Sequence, residues 1–231
     1  MAATKTAKTK TQAKAAPQRR IFIVDDHPLF REGLACIIRQ RPDLSICGEA
    51  DTAAKAFEAI RELRPDILVT DIGLPGKSGL ELLKDVRAFR PSLPVLVISM
   101  HDEALYAERV LKAGARGYIM KQAGPEKILA AIDQVLGGKV YVSDEMSADI
   151  LAHIVNPSAK ATGSPIGRLT DREFEVLHLI GEGKDSHEIA DDLHLSLKTV
   201  SCHQANIKEK LGLKSSTALI HFASRWVSEK A

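Results

Sequence analysis

From Ile21 to about Gly137, short apolar runs alternate with longer amphipathic stretches. The runs are IFIV (21–24), LSICGEA (44–50), DILVT (66–70), PVLVIS (94–99) and GYIM (117–120). They are too short for helices and rich in β-branched residues, which predicts buried strands. Between them apolar residues recur at helical spacing, as in Leu80, Leu82, Leu83, Val86 and Phe89, and several stretches begin after Pro or Ser and end at Gly or before Pro. Strand alternating with helix predicts an α/β domain whose sheet is parallel, with five strands and five helices. After Gly137–Gly138 the pattern changes. KVYVSDEMSADILAHIV ends in a further helix, NPSAKATGSPIG (156–167) reads as a flexible linker, and four helical segments follow at about 171–181, 186–193, 197–211 and 216–228 with no strand pattern. The chain is therefore expected to be α/β followed by a small all-α domain.

Composition agrees with two domains, because 231 residues with 45% hydrophobics can bury two modest cores. No apolar run approaches the roughly 20 residues that span a bilayer, and the N-terminus has no signal-like apolar stretch. A soluble, cytoplasmic protein with no membrane partner is expected. Cys36, Cys47 and Cys202 form neither a CxxC pair nor a metal-ligand spacing, and are expected to be reduced, mostly buried thiols. The net charge of +2 conceals segregation. Residues 1–20 carry six positive charges and no acid, with almost no large apolar residue, so residues 1–19 are expected to be a disordered basic tail. Residues 21–155 hold 16 Lys and Arg against 20 Asp and Glu.

Ligands of a parallel α/β sheet bind beyond the carboxyl ends of the strands, so the residues there form one candidate site. Asp25 and Asp26 follow the first run, Asp71 the third and Lys121 the fifth, while Ser99 ends the fourth. Three converging carboxylates repel unless a divalent cation neutralises them, and an all-oxygen site suits Mg²⁺. A hydroxyl and an ammonium facing the same cation suit a phosphoryl group. Asp71, the isolated carboxylate, is the nucleophile toward phosphorus in this reading, while Mg²⁺ and Lys121 offset charge on the transferring oxygens. Asp26 ligates Mg²⁺ directly, Asp25 through water, and the backbone carbonyl of Gly73 supplies a further oxygen. His27, before Pro28 at a helix start, reads as a local structural residue.

Through IFIVDDHPLFREGL, DILVTDIGLPGKSGLELL, VLVISMHDE and AGARGYIMKQAGPEKI, residues 21–140 resemble the receiver domain of bacterial response regulators. The resemblance implies a flavodoxin-like, doubly wound sheet of order 2-1-3-4-5, with Asp71 phosphorylated by a sensor histidine kinase. It also implies that Ser99 binds the phosphoryl oxygen and that Tyr118 rotates inward as this hydroxyl moves.

In the second half, Thr170 and Glu173 form a capping box for the first helix. SHEIADDLHLSLKTVSCHQANIKEKLGL then reads as a short helix, a turn at His194 and Leu195, and a longer helix capped by Ser196, which is helix-turn-helix geometry. Projection at 100° per residue turns Val200, Gln204, Ile207 and Leu211 inward and Lys198, Ser201, Cys202, Ala205 and Glu209 outward. The candidate DNA contacts are Lys198, Thr199, Ser201, Cys202, Ala205, Lys208 and Lys214, with Lys198 able to donate to guanine and Cys202 and Ala205 able to touch a thymine methyl. Residues 165–231 carry nine Lys and Arg against ten Asp and Glu, but 196–214 carry four lysines against one acid, so one face is basic. Modest affinity per monomer follows.

This region resembles the LuxR-type helix-turn-helix, and the two domains together resemble the NarL/FixJ class of response regulators. Members of that family commonly carry Lys or Arg around Ser201, Gln204 and Ala205, and this chain does not. The resemblance implies that the last helix, through Leu219, Ala223 and Trp226, forms a homodimer contact when the protein is phosphorylated; the same residues can instead close the small domain's core.

The expected organisation is a tail (1–19), a receiver (20–140), a linker helix and flexible linker (141–167), and a DNA-binding domain (168–231). The expected function is a transcriptional regulator switched by phosphorylation of Asp71, with Mg²⁺, a kinase, promoter DNA and a second copy as partners, and no enzymatic activity beyond its own phosphotransfer and dephosphorylation. A phosphatase of the haloacid-dehalogenase type shares the Asp, Mg²⁺, hydroxyl and Lys, but places its carboxylates as DxDxT on one strand, which this chain does not. An output that binds protein rather than DNA fits the acidic helices.

Overall fold

The structure is a computed structural model that describes residues 18–155 and 165–228. The basic tail through residue 17 and linker residues 156–164, for which disorder and flexibility are expected, lie outside the described residues.

Five parallel strands, β1 (Arg19–Val24), β2 (Leu44–Ala50), β3 (Ile67–Thr70), β4 (Val95–Ser99) and β5 (Gly117–Met120), form one sheet in the order β2-β1-β3-β4-β5. Because strand side chains alternate faces, each apolar run feeds two cores. Ile21, Ile23, Ile67, Val69, Leu96, Ile98 and Ile119 pack under α1 (Pro28–Arg39) and α5 (Pro125–Leu136). Phe22, Val24, Leu68, Val95, Val97 and Tyr118 pack under α2 (Ala53–Leu63), α3 (Gly79–Phe89) and α4 (Glu103–Lys112). The strands match the apolar runs closely. At β1, Arg19 and Arg20 also join the sheet, since Arg19 N–H donates to the Asp43 carbonyl at 2.8 Å and Arg20 N–H to Asp66 Oδ2 at 2.8 Å.

After α5 the chain returns to the sheet edge, where Tyr141 N–H donates to the Arg116 carbonyl and Tyr118 N–H to the Tyr141 carbonyl, both at 2.9 Å. Helix α6 (Asp144–Val155) follows. At the end of the expected flexible linker, Pro165–Arg168 form a 3-10 turn with Ile166 buried. Among the described residues four helices follow: α7 (Asp171–Gly181), α8 (Ser186–Asp192), α9 (Leu197–Leu211) and α10 (Ser216–Ser228). Side chains cap them as the sequence predicts: Thr170 and Glu173 form a capping box at α7, and Ser196 Oγ accepts Thr199 N–H at 3.1 Å at α9. Their core is built from Val176, Leu177, Ile180, Ile189, Leu193, Val200 and Ile207, closed by Leu219 and Ala223.

Helix α7 is buried along its whole length from Asp171 to Ile180, charged residues included. One side packs on α10 and α9, and the other docks against the α/β domain. The core under α3 and α4 therefore runs continuously into the second domain, with the Tyr106 ring 5.0 Å from that of Phe174. One expectation is corrected. Cys36 and Cys202 are exposed and Cys47 half-buried, because the first two lie on outward helix faces. No helix among the described residues is long and apolar enough to cross a membrane.

Candidate functional site

The ends of β1, β3, β4 and β5 bring Asp25, Asp71, Ser99 and Lys121 into one pocket. Backbone bonding sets the first two: Asp25 N–H donates to the Ala50 carbonyl at 3.1 Å and Asp71 N–H to the Val24 carbonyl at 2.9 Å. The turn out of β3 is tight, with Gly79 N–H donating to the Ile72 carbonyl at 2.8 Å. Only glycine fits at the head of α3, since a Cβ on Gly79 would lie 1.7 Å from the Asp71 carbonyl oxygen.

Lys121 Nζ lies 2.6 Å from Asp71 Oδ2 and 2.7 Å from Asp25 Oδ2, and all three side chains are almost wholly buried. The ammonium also stands over the Phe30 ring, 4.7 Å from its centroid. Asp71 Oδ1 accepts the amides of Ile72 at 2.6 Å and Gly73 at 3.3 Å. Burial, followed by repulsion from Asp71, holds the Asp25 carboxyl above the usual carboxylate range, although Lys121 works against both. For Lys121, burial favours the neutral amine, but the Asp71 charge and the bonds to both carboxylates outweigh it, and its pKa is raised.

Asp26 borders the same pocket. Its Oδ1, buried and accepting no hydrogen bond of good geometry, lies 2.8 Å from His27 Nδ1. One ligand atom from each of Asp25, Asp26, His27 and Asp71 falls within 4.8 Å of the others. One ammonium cannot neutralise three carboxylates, so a hard divalent cation fits both the charge and the oxygen donors. Beside the pocket, Ser99 is fully buried, and Tyr118 already lies inward, its hydroxyl donating to the His101 carbonyl at 2.7 Å. Burial raises the Tyr118 pKa well above the phenol range.

On the second domain, Lys198, Ser201, Cys202 and Ala205 are exposed on one face of α9, Thr199 and Lys208 are half-buried beside them, and Lys214 is exposed just beyond the helix. Val200 and Ile207 are buried on the opposite face. Two features of this face differ from the pattern in the sequence. Lys210 turns away to pair with the buried Glu173 at 2.6 Å, and Leu197, at the start of α9, is 41% exposed beside Lys198. Leu219 and Ala223 are buried against α7, so they do not form an external face; their helix must bury them to close a core this small. Trp226 is half-buried with its ring 5.3 Å from Phe174.

Between the domains, Arg109 of α4 donates to Asp171 Oδ1 at 2.8 Å and to the carbonyls of Leu169 at 3.0 Å and Ile166 at 3.3 Å, with its guanidinium 4.4 Å from the Phe174 ring centroid. Lys84 Nζ reaches Asp171 Oδ2 at 2.6 Å. Arg172 bonds Glu175 at 2.7 Å, and burial pushes the Glu175 carboxyl up to about 7 despite that partner. His101 and His178 face each other across the interface at 5.8 Å, and burial pushes His101 down to about 4. Sequence reasoning found none of these residues, since a charged residue on an amphipathic helix carries no sign that a second domain will cover it.

Residues 21–133 match the family described as "Response regulator receiver domain", and residues 167–223 match "Bacterial regulatory proteins, luxR family". The chain is 34% identical over 208 residues to the oxygen regulatory protein NreC of Staphylococcus carnosus (strain TM300), covering 88% of this chain and 96% of that protein. Among solved structures it resembles a LuxR-family two-component response regulator from Aurantimonas sp. SI85-9A1, with 34% identity, 60% of this chain and 99% of that chain covered, and a TM-score of 0.56. It also resembles RcsB of Salmonella enterica serovar Typhimurium bound to promoter rprA in the presence of the phosphomimetic BeF3-, with 28% identity, 90% and 98% covered, and a TM-score of 0.59.

Proposed function

From the premise that this chain belongs to the response regulators joining a receiver to a LuxR-type DNA-binding domain, we propose that phosphorylation of Asp71 undocks α7 and lets α9 read promoter DNA. The family is one of transcriptional regulators rather than enzymes with a released product. The observation that carries the reading is the buried Asp25–Lys121–Asp71 cluster with Asp26 alongside, a nucleophile paired with a cation beside surplus carboxylate.

An Asp71 carboxylate oxygen attacks the phosphorus of a phosphohistidine on a sensor kinase. The O–P bond forms, the P–N bond breaks, and the imidazole leaves with its electron pair. Lys121, released in part from Asp25, neutralises an equatorial oxygen, and the Ser99 hydroxyl donates to another. Asp26 and Asp71, with the Gly73 carbonyl and a water on Asp25, are the groups that would hold Mg²⁺. When bound, this cation supplies charge neutralisation at the transferring phosphoryl.

The added dianion competes for Lys121 and Ser99, and so pulls on the β3–α3 and β4–α4 loops on which α7 rests. Once free, the domain presents Lys198, Ser201, Cys202 and Ala205 to base edges and Thr199, Lys208 and Lys214 to phosphates. The apolar Leu197, Cys202 and Ala205 favour thymine methyls. Two copies bound side by side provide the affinity that one weakly basic helix lacks. Trp226, partly uncovered by undocking, is the remaining candidate of the three residues assigned to that contact. The RcsB structures, one bound to a promoter with a phosphomimetic and one of two dimers on parallel DNAs, support this reading by similarity.

The test is selection of bound duplexes from a random DNA pool, with Mg²⁺ and with or without phosphoramidate. Wild type should enrich a sequence more strongly with the phosphodonor, and D71A should not respond. Enrichment that is equal in all four arms, or absent from all, would refute the scheme; absence from all favours an output that binds protein.

A further inference from the structure

The second domain touches two of the loops that build the Asp71 pocket. Arg172, the second residue of α7, is 7% exposed. Its Nη2 donates to the Leu74 carbonyl at 3.2 Å and to the Gly76 carbonyl, both in the loop that leaves Asp71. Glu175 holds Nη1 at 2.7 Å, and Glu81 at the head of α3 lies 3.9 Å from Nε, so the guanidinium is gripped from both domains. Nearby, His194 in the turn between α8 and α9 brings Nε2 to 3.6 Å from Asp26 Oδ2.

In this docked arrangement both oxygens of the nucleophile are engaged. Oδ2 faces Lys121, and Oδ1 accepts the amides of Ile72 and Gly73. Phosphorylation needs one oxygen free for phosphorus and the other free for a cation, so the 72–73 amides must give way. Those amides lie only one to four residues from the two carbonyls that Arg172 pins. Gly76, whose φ of +74 is a backbone conformation that glycine readily adopts, is one of the pinned positions.

We infer that Arg172 is a positioning residue for phosphotransfer: from the output domain it clamps the β3–α3 loop with Asp71 in its least reactive arrangement, so release of α7 quickens phosphorylation of Asp71. The inference rests on Asp71 being the phosphoacceptor. It makes the coupling between the domains reciprocal, because a contact weakened by phosphorylation must in turn disfavour the phosphorylated form at equilibrium.

The test uses the full-length protein with Mg²⁺ and phosphoramidate, whose P–N bond breaks as the Asp71 O–P bond forms and ammonia departs. Phosphorylated and unmodified chains are separated on a phosphate-affinity gel for wild type, R172Q, R172K and D71A. R172Q should be phosphorylated about tenfold faster than wild type, the equivalent of losing one charge-assisted hydrogen bond. R172K, whose ammonium can reach one carbonyl but not span both, should fall between them, and it carries the comparison if R172Q does not fold. Hydrogen exchange at the Ile72 and Gly73 amides should quicken in the same order, while Leu96 and Val97 in β4 stay protected. An R172Q rate equal to or below wild type, or unchanged exchange at residues 72 and 73, would overturn the clamp while leaving Asp71 as acceptor. If wild type gained no more label than D71A, the phosphoacceptor reading itself would fall.

Discussion

Removing the Arg109 guanidinium should open the domain interface. Arg109 is 19% exposed at its side chain and Asp171 6%, so their contact at 2.8 Å is largely shielded from water and salt. R109Q also loses donation to the Leu169 and Ile166 carbonyls and the stacking on Phe174. A hydrogen bond to a charged group contributes about 1.5–3 kcal/mol, and removing one buried partner exposes the cost of the other. Lys84 stays on Asp171 but is 55% exposed, so it relieves only part of that cost. A net loss of about 2 kcal/mol follows, which lowers the docking constant roughly 30-fold. The chain carries its own labelling sites, since Cys36 on α1 and Cys202 on α9 are exposed and sit on opposite domains. With Cys47 replaced by serine, a donor and acceptor dye on these thiols report docking by energy transfer. R109Q should lose transfer while each domain keeps its own melting transition. A cycle of R109Q, D171N and the double variant should give a coupling of about 1–2 kcal/mol. Unchanged transfer in R109Q, or a coupling near zero, would refute the claim that this ion pair holds the domains together.

Three further outcomes follow. G79A should destabilise the receiver by about 3 kcal/mol in urea unfolding and slow labelling of Asp71, because its methyl collides with the Asp71 backbone. In docking against pH, a buried carboxyl opposes two buried histidines. Glu175, near 7 when docked, binds a proton more readily in the docked state, so it favours docking as pH falls below 7; His101, near 4 when docked and flanked by His178, with Asp71, Glu182 and Lys184 contributing charge, opposes it. In E175Q the two histidines remain, since burial lowers the His178 pKa as well: docking is full above the ordinary histidine range and is lost as pH falls toward 4, so the constant measured by energy transfer should drop at least about tenfold between pH 7.5 and 5.5. A flat profile in E175Q would contradict it. For DNA, K214A should weaken binding to the selected duplex uniformly across sequence variants and reduce the slope of log affinity against log salt by about 0.9 per lysine, read by fluorescence anisotropy at several salt concentrations.

Much of the fold and most of the pocket are legible in the sequence for physical reasons. Ile21, Phe22, Ile23 and Val24 form a continuous apolar run because both faces of β1 are covered, Pro28 marks a helix start as its first residue, and Ser78, Ser196 and Thr170 mark helix starts through their own side-chain caps. Asp25, Asp71, Ser99 and Lys121 can be read because a parallel sheet sends every strand end to one edge. The rest depends on contacts between distant segments. Asp171, Arg172, Glu173, Glu175 and His178 are charged or polar residues on a helix, yet each is buried: Lys84 and Arg109 of the receiver face Asp171, Glu81 faces Arg172, and Glu173 is covered within its own domain by Lys210 of α9. The resemblance implies a dimer contact for Leu219 and Ala223, with core closure as the alternative, and the approach of α10 to Gly181, whose Cβ would meet the Ala223 carbonyl at 2.7 Å, decides for the core.

The central claim is that a phosphoryl group on Asp71 undocks α7. Its most direct test is the energy transfer between dyes on Cys36 and Cys202 before and after adding Mg²⁺ and phosphoramidate, in wild type and in D71A, both carrying Cys47→Ser. Transfer should fall in wild type, on the same time course as labelling of Asp71, and should not move in D71A. A steady signal in fully phosphorylated wild type, or an equal fall in D71A, would contradict it.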